Sequence, residues 1–116
     1  MIGFNSVQRI LISTEPTDMR KSFDGLCGCV EQRFQMDPLG STMFVFFNRK
    51  LTMVKMLLWD RYGFWIFAKR LERGTFSLYS VKNNKEIDST ELLCILDGIE
   101  LLHSRRKKRF SVKKTC

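Results

Sequence analysis

MFVFFNRKLTMVKMLLWDRYGFWIFAKRLERGTFSLY, residues 43–79, decides the fold. Apolar runs rich in aromatic and β-branched residues are broken by Asn48-Arg49-Lys50, by Asp60-Arg61-Tyr62-Gly63 and by Glu72-Arg73-Gly74. Runs of this length bounded by turn residues read as successive antiparallel strands, here 43–48, 52–59, 64–70 and 75–80. Asp at the first and Gly at the fourth position of 60–63 is the preference of a type I turn. A four-residue turn there sets Trp59 opposite Phe64 and Leu58 opposite Trp65. Side chains alternate across a sheet, so Val54, Met56, Leu58, Trp65 and Phe67 share one face. Met53, Leu57, Trp59, Phe64 and Ile66 share the other, with Lys55 and Arg70 among them. Both faces are apolar. The second therefore needs cover from elsewhere in the chain, such as the last helix, or from a partner, and Trp59 and Phe64 mark it as a candidate partner face.

Outward from the meander, Gln8 to Ser13 (QRILIS) is a candidate first strand, ended by Glu15-Pro16 because a residue before proline is driven to extended geometry. Met19, Phe23, Leu26, Val30 and Phe34 then recur at helical spacing, which predicts an amphipathic helix over 18–35 capped by Thr17 or Asp18. Arg20 and Asp24 fall four apart on its wet side. Gly25 and Gly28 weaken that helix, and close packing on the sheet is the expected compensation. After the polar loop 81–85, Asp88 or Ser89 caps a short helix carrying Leu92, Leu93, Ile95, Leu96 and Ile99, with Gly98 near its end. The expected class is α+β: an antiparallel β-meander of four to five strands, the 18–35 helix packed on one face, and a short C-terminal helix.

The 116 residues fit one domain, placed at 1–102, followed by a basic and flexible tail at 103–116. A hydrophobic content of 44% with 28% charged residues is that of an ordinary globular chain. No apolar run approaches the roughly 20 residues of a membrane span. MIGFNSVQRI has none of the features of a signal peptide, so a cytoplasmic setting is expected. The net charge of +8 is segregated: residues 101–116 hold seven Lys/Arg and no acid, and the preceding hundred hold 13 Lys/Arg against 12 Asp/Glu. Basicity is thus a property of the tail more than of the body. Cys27, Cys29, Cys94 and Cys116 contain no C-x-x-C spacing, and His103 is the one histidine, so neither a metal site nor a cofactor is expected.

No phosphate loop, nucleophile elbow or carboxylate cluster is present, and the scattered acids have structural readings. Asp18 suits a cap, Asp60 a turn, and Glu72 a partner for Arg70 or Arg73. The chain is therefore expected not to be an enzyme. The candidate nucleic-acid contacts are Arg49 and Lys50 in one turn, Lys55 on a strand, Lys69, Arg70 and Arg73 at the far end of the third strand, and Arg105, Arg106, Lys107, Lys108 and Arg109 in the tail. Taken singly, such clusters are commonly solvated turn charges. The tail cluster Arg105–Arg109 resembles the basic arms that contact phosphates without reading sequence.

Three stretches together resemble one family. TDMRKSFDGL at 17–26 is similar to its TDMRKGFDGL motif, with Ser22 in place of glycine. VKMLLWDRYGFWIFAKRLERGTF at 54–76 resembles its central block, and LLCILDGIEL at 92–101 its closing L-x-x-L-x-x-G-I. The family is that of the TnpB accessory proteins, the second open-reading-frame products of insertion sequence sixty-six elements. The resemblance covers the body and not the tail. It implies a bacterial mobile-element protein working in transposition beside a separate transposase. DNA, from the basic clusters, and a second copy of the chain, from the apolar sheet face, are further candidate partners. The matched polar positions are Asp18, Arg20, Lys21, Asp24, Asp60, Lys69, Arg70, Glu72 and Arg73.

Overall fold

The computed structural model describes residues 7–79, 81, 85–100 and 105–106. It is an α+β fold. In chain order the elements are β1 (Arg9–Ser13), α1 (Phe23–Phe34), β2 (Thr42–Phe47), β3 (Met53–Asp60), β4 (Gly63–Arg70), β5 (Glu86–Ile87), α2 (Ser89–Asp97), β6 (Ile99–Glu100) and β7 (Arg105–Arg106). Five strands form one sheet in the order β4-β3-β2-β1-β5. β6 and β7 form a separate antiparallel pair.

The β3–β4 hairpin has the expected register, with Trp59 opposite Phe64 and Leu58 opposite Trp65. Its turn is not type I: Arg61 has φ of 58°, in the left-handed region. A two-residue hairpin loop needs that conformation to match the twist of its strands. The meander ends one strand early. Residues 75–79 form no strand; instead Phe76 donates its N–H to Leu51 O at 2.7 Å and buries its ring 5.4 Å from that of Phe47. The apolar residues read as a fourth meander strand are thus spent covering a face, not extending an edge.

β1 runs parallel to β2, Arg9 to Ser13 matching Thr42 to Phe46. The sheet is consequently mixed, with its other pairings antiparallel. Parallel neighbours require a crossover, and α1 supplies it. The fifth strand comes from Glu86 and Ile87, which lie between the expected loop 81–85 and the expected cap at Asp88 or Ser89: Ile10 pairs with Ile87, and Arg9 bridges Glu86 at 3.0 Å.

Both sheet faces are covered by this chain. On one, Leu11, Phe44, Phe46 and Leu57 pack under Leu26, Cys29 and Val30 of α1, with Phe64 and Ile66 at the margin. On the other, Ile10, Ile12, Met43, Val45, Phe47, Val54, Met56 and Leu58 meet Phe76, Val81, Leu92 and Ile95. α1 is shorter than expected and starts after Ser22, whose side chain makes no capping bond. Neither Thr17 nor Asp18 caps it. Asp18 closes an Asx turn by accepting from Arg20 N, a local alternative that competes with helix. Arg20 pairs with Asp18, not Asp24. Phe23, which the stripe places in the core, is 46% exposed, and Cys29, which is not part of the stripe, is buried. Gly25 and Gly28 are not packed on the sheet: a Cβ at Gly25 would meet the Lys21 side chain at 3.1 Å, and one at Gly28 would meet nothing. α2 begins as read, with Asp88 in a capping box with Glu91, and ends at Gly98 in the left-handed region. Of the expected tail, Arg105 and Arg106 form β7; the rest lies outside the described residues.

Phe46 is fully buried between β1, β3 and α1. Phe46→Ala should cost about 3–5 kcal/mol in urea unfolding, while Leu93→Ala, at a position 59% exposed, should stay within about 0.5 kcal/mol.

Candidate nucleic-acid interface

Strand direction gathers the cations. β1, β2 and β4 finish, and β3 and β5 begin, at the same end of the sheet. The loop 14–22 after β1, the hairpin 48–52 between β2 and β3, and the segment 71–75 after β4 therefore lie side by side. Arg20 and Lys21 stand on the first, Arg49 and Lys50 on the second, and Lys69, Arg70 and Arg73 at the third.

Backbone bonds fix these loops to one another. Thr17 N donates to Phe47 O at 2.9 Å, Leu71 N to Thr52 O at 2.8 Å, and Phe76 N to Leu51 O at 2.7 Å. Asn48 organises the hairpin: its Oδ1 accepts from Thr52 N at 2.9 Å and Met53 N at 3.1 Å, and its Nδ2 donates to Thr52 Oγ1 at 2.9 Å. Leu51 takes φ of 58° within it. The hairpin and the Pro16–Met19 loop bound a shallow cleft of about 440 Å³, lined by Pro16, Thr17, Asp18, Met19, Asn48, Arg49 and Lys50.

The acids at this end are mostly committed. Arg20 reaches Asp18 at 2.6 Å, Arg70 reaches Glu72 at 3.1 Å and Arg33 reaches Glu15 at 2.9 Å. Hydrogen bonds from the Arg20 guanidinium, then from its backbone N–H, hold the Asp18 carboxyl well below the usual carboxylate range. Two lysines spend their ammonium groups on backbone carbonyls, which leaves their charge uncancelled: Lys55 Nζ donates to Lys21 O at 2.9 Å and Lys69 Nζ to Leu96 O at 2.8 Å. The second bond sits at the carbonyl end of α2, where the helix dipole favours a cation. Arg49 and Lys50 are exposed and engage no carboxylate among the described residues.

Of the sequence candidates, Arg49, Lys50, Lys69, Arg70 and Arg73 are thus brought together, with Lys55 beside them on the α1 face. Arg20, Lys21 and Glu72 of the family motifs join them. Arg105 and Arg106 lie in β7, and Lys107, Lys108 and Arg109 fall outside the described residues. Trp59 and Phe64 are half-buried and packed edge-on at 5.0 Å. Asp60 is far from the cationic end and accepts from Trp65 Nε1 at 3.0 Å. Asp24 stays exposed on α1. There, burial first and then Asp24 and Glu31 push the Cys27 thiol above its ordinary range.

Three contributors were not singled out from sequence. Asn48 reads in the sequence only as a turn residue. Arg33 ties α1 to the loop after β1, donating to Ser13 Oγ at 2.9 Å and Thr17 Oγ1 at 2.7 Å. Lys85 lies 5.9 Å over the Phe34 ring. A basic residue in a helix's last turn was the available signal for Arg33; nothing in the sequence placed Lys85. Among the described residues no group of His, Cys, Asp and Glu could hold a metal ion, and no helix is long and apolar enough to cross a membrane.

Residues 8–106 match the family described as IS66 Orf2 like protein. The chain is 33% identical over 102 residues to the uncharacterized protein y4hO of Sinorhizobium fredii (strain NBRC 101917 / NGR234), covering 87% of this chain and 89% of that one. It is 29% identical over 108 residues to the uncharacterized protein y4jC of the same organism, covering 92% of each. No solved structure matches.

The Asp18–Arg20 lock is testable by titration. In carboxyl-detected NMR, Asp18 should titrate well below ordinary aspartates, and in Arg20→Gln it should return towards the usual value of about 3.9. An unchanged midpoint would remove Arg20 as the cause.

Proposed function

This chain belongs to the IS66 Orf2-like family, with the transposition accessory role that the family implies, and we propose that it fills that role without catalysis, as a cytoplasmic protein that binds DNA at the cationic end of its sheet. The observation that carries the reading is the convergence of Lys21, Arg49, Lys50, Lys55 and Lys69 from separate parts of the chain onto one end of a nearly neutral body. Cations whose charge is not cancelled by acids bind phosphates and release the counterions condensed on a duplex. Such contacts set affinity and orientation and carry little base information. The transposase would then supply the strand chemistry. The tail cluster Arg105–Arg109 would add a second phosphate-binding arm.

A docking reading has one feature in its favour. Tyr62 and Trp65, 89% and 43% exposed, crowd the β3–β4 turn at the opposite end of the sheet, where a partner such as the transposase could bury them. DNA and protein would then occupy different ends of the molecule.

The test is titration of labelled duplex at several salt concentrations. About five phosphate contacts predict a log–log slope near −4 to −5. Arg49→Gln with Lys50→Gln should make the slope about 2 units shallower, whereas substituting Gln for Arg105–Arg109 separates the contribution of the tail. A flat salt dependence, or full binding by the Arg49/Lys50 variant, would count against the cationic end. Loss of pull-down of the transposase by Tyr62→Ser with Trp65→Ser, with DNA binding intact, would assign docking to the other end.

A further inference from the structure

β4 closes one edge of the sheet, and among the described residues nothing pairs with its outer side. Open edges are usually short, charged or covered, because unpaired N–H and C=O groups template another strand. β4 has eight residues, and Phe64 to Ala68 carries no charge. The register shows which groups point outward. Leu71 N donates inward to Thr52 O, and antiparallel hydrogen bonding alternates along a strand. Phe64, Ile66, Ala68 and Arg70 therefore direct their backbone groups away from β3.

We propose that this edge pairs antiparallel with β4 of a second copy of this chain about a two-fold axis at Ile66, joining two five-stranded sheets into one. The side chains favour that register. Trp65 and Phe67, already stacked at 6.0 Å, come opposite Phe67 and Trp65 of the second copy, in the close pairing where aromatic side chains interact best. Phe64 comes opposite Ala68, large against small. Arg70 comes opposite the exposed Tyr62 ring, a cation over an aromatic face. Lys69 comes opposite Gly63, and Gly63 is the neighbour of Asp60 on the same face. With no side chain at Gly63, Lys69 of one copy gives up its bond to Leu96 O and reaches across Gly63 to the Asp60 carboxylate of the other, whose second oxygen is left over from its bond with Trp65 Nε1. The contact is made twice by symmetry. Moving the two-fold axis from Ile66 to Trp65 sets Lys69 against Arg61, a like-charge clash. The pairing does not depend on DNA binding and is measured without nucleic acid.

Sedimentation of the full chain should show a dimer. Ala68→Pro removes an outward N–H, which the monomer does not use, at an edge position where proline is tolerated. It should weaken dimerisation by about tenfold or more with unchanged circular dichroism. Lys69→Glu should weaken the dimer, and Asp60→Lys with Lys69→Glu should restore it. Within one chain those residues are about 20 Å apart along the strands, so rescue can arise only between copies. A native chain that sediments as a monomer up to about 100 μM, a dimer indifferent to Ala68→Pro, or a double variant no more dimeric than Lys69→Glu would overturn the proposal.

Discussion

Five consecutive side chains of β2, Met43 to Phe47, are buried, and this constraint organises the molecule. Successive residues of a strand face opposite ways, so a strand that is apolar at every position must have a layer above it and another below. Its backbone groups are buried too and need partners on both edges. β2 accordingly sits in the middle of the sheet, between β1 and β3, with α1 on one side and α2 plus Phe76 on the other. Burial of each such side chain is worth roughly 1.5–3 kcal/mol. No other element collects so much in so few residues, and the sheet order follows from housing it.

The same constraint explains how the electrostatics are sorted. A chain with both sheet faces covered can place charge only at the ends of the strands, on the outer surfaces of the helices and at the rims. Because β1 is parallel to β2, the loop that carries Arg20 and Lys21 emerges beside the loop that carries Arg49 and Lys50. Glu86, Asp88 and Glu91 are used elsewhere, in the bridge to Arg9 and in the cap of α2. A body whose charges nearly balance therefore still presents a strongly one-signed end. Composition averages that away.

What could be read from the chain and what could not divide along physical lines. The β3–β4 register was legible because period-two patterning and a four-residue turn leave little freedom. The start of α2 was legible because Asp88 and Glu91 form a local capping box. The start of α1 was not: the apolar stripe includes Met19, but Asp18 binds the backbone of Arg20 and holds the chain out of helix. The parallel alignment of β1 has no local signal, since it depends on where α1 lands. Residues 75–79 carry the composition of a strand, and only tertiary packing of Phe76 against Phe47 decides otherwise. For the interface, the sequence named most of the cations individually. That they meet depends on the direction of β1, and so their meeting could not be read.

The position of β1 also has a consequence for how the chain is made. Arg9 and Glu86, which bridge β1 to β5, are 77 residues apart. At about 5–20 residues per second of synthesis, β1 emerges from the ribosome roughly 4–15 s before the strand that closes its outer side. Through that interval Ile10 and Ile12 have neither β5 beside them nor α2 above them. A nascent chain in this state carries an open apolar edge at β1 as well as at β4, and it is then most exposed to mispairing and to chaperone capture. A frameshift or stop before Glu86 would make that intermediate permanent, leaving a product with most of its sheet sequence and no means of sealing it.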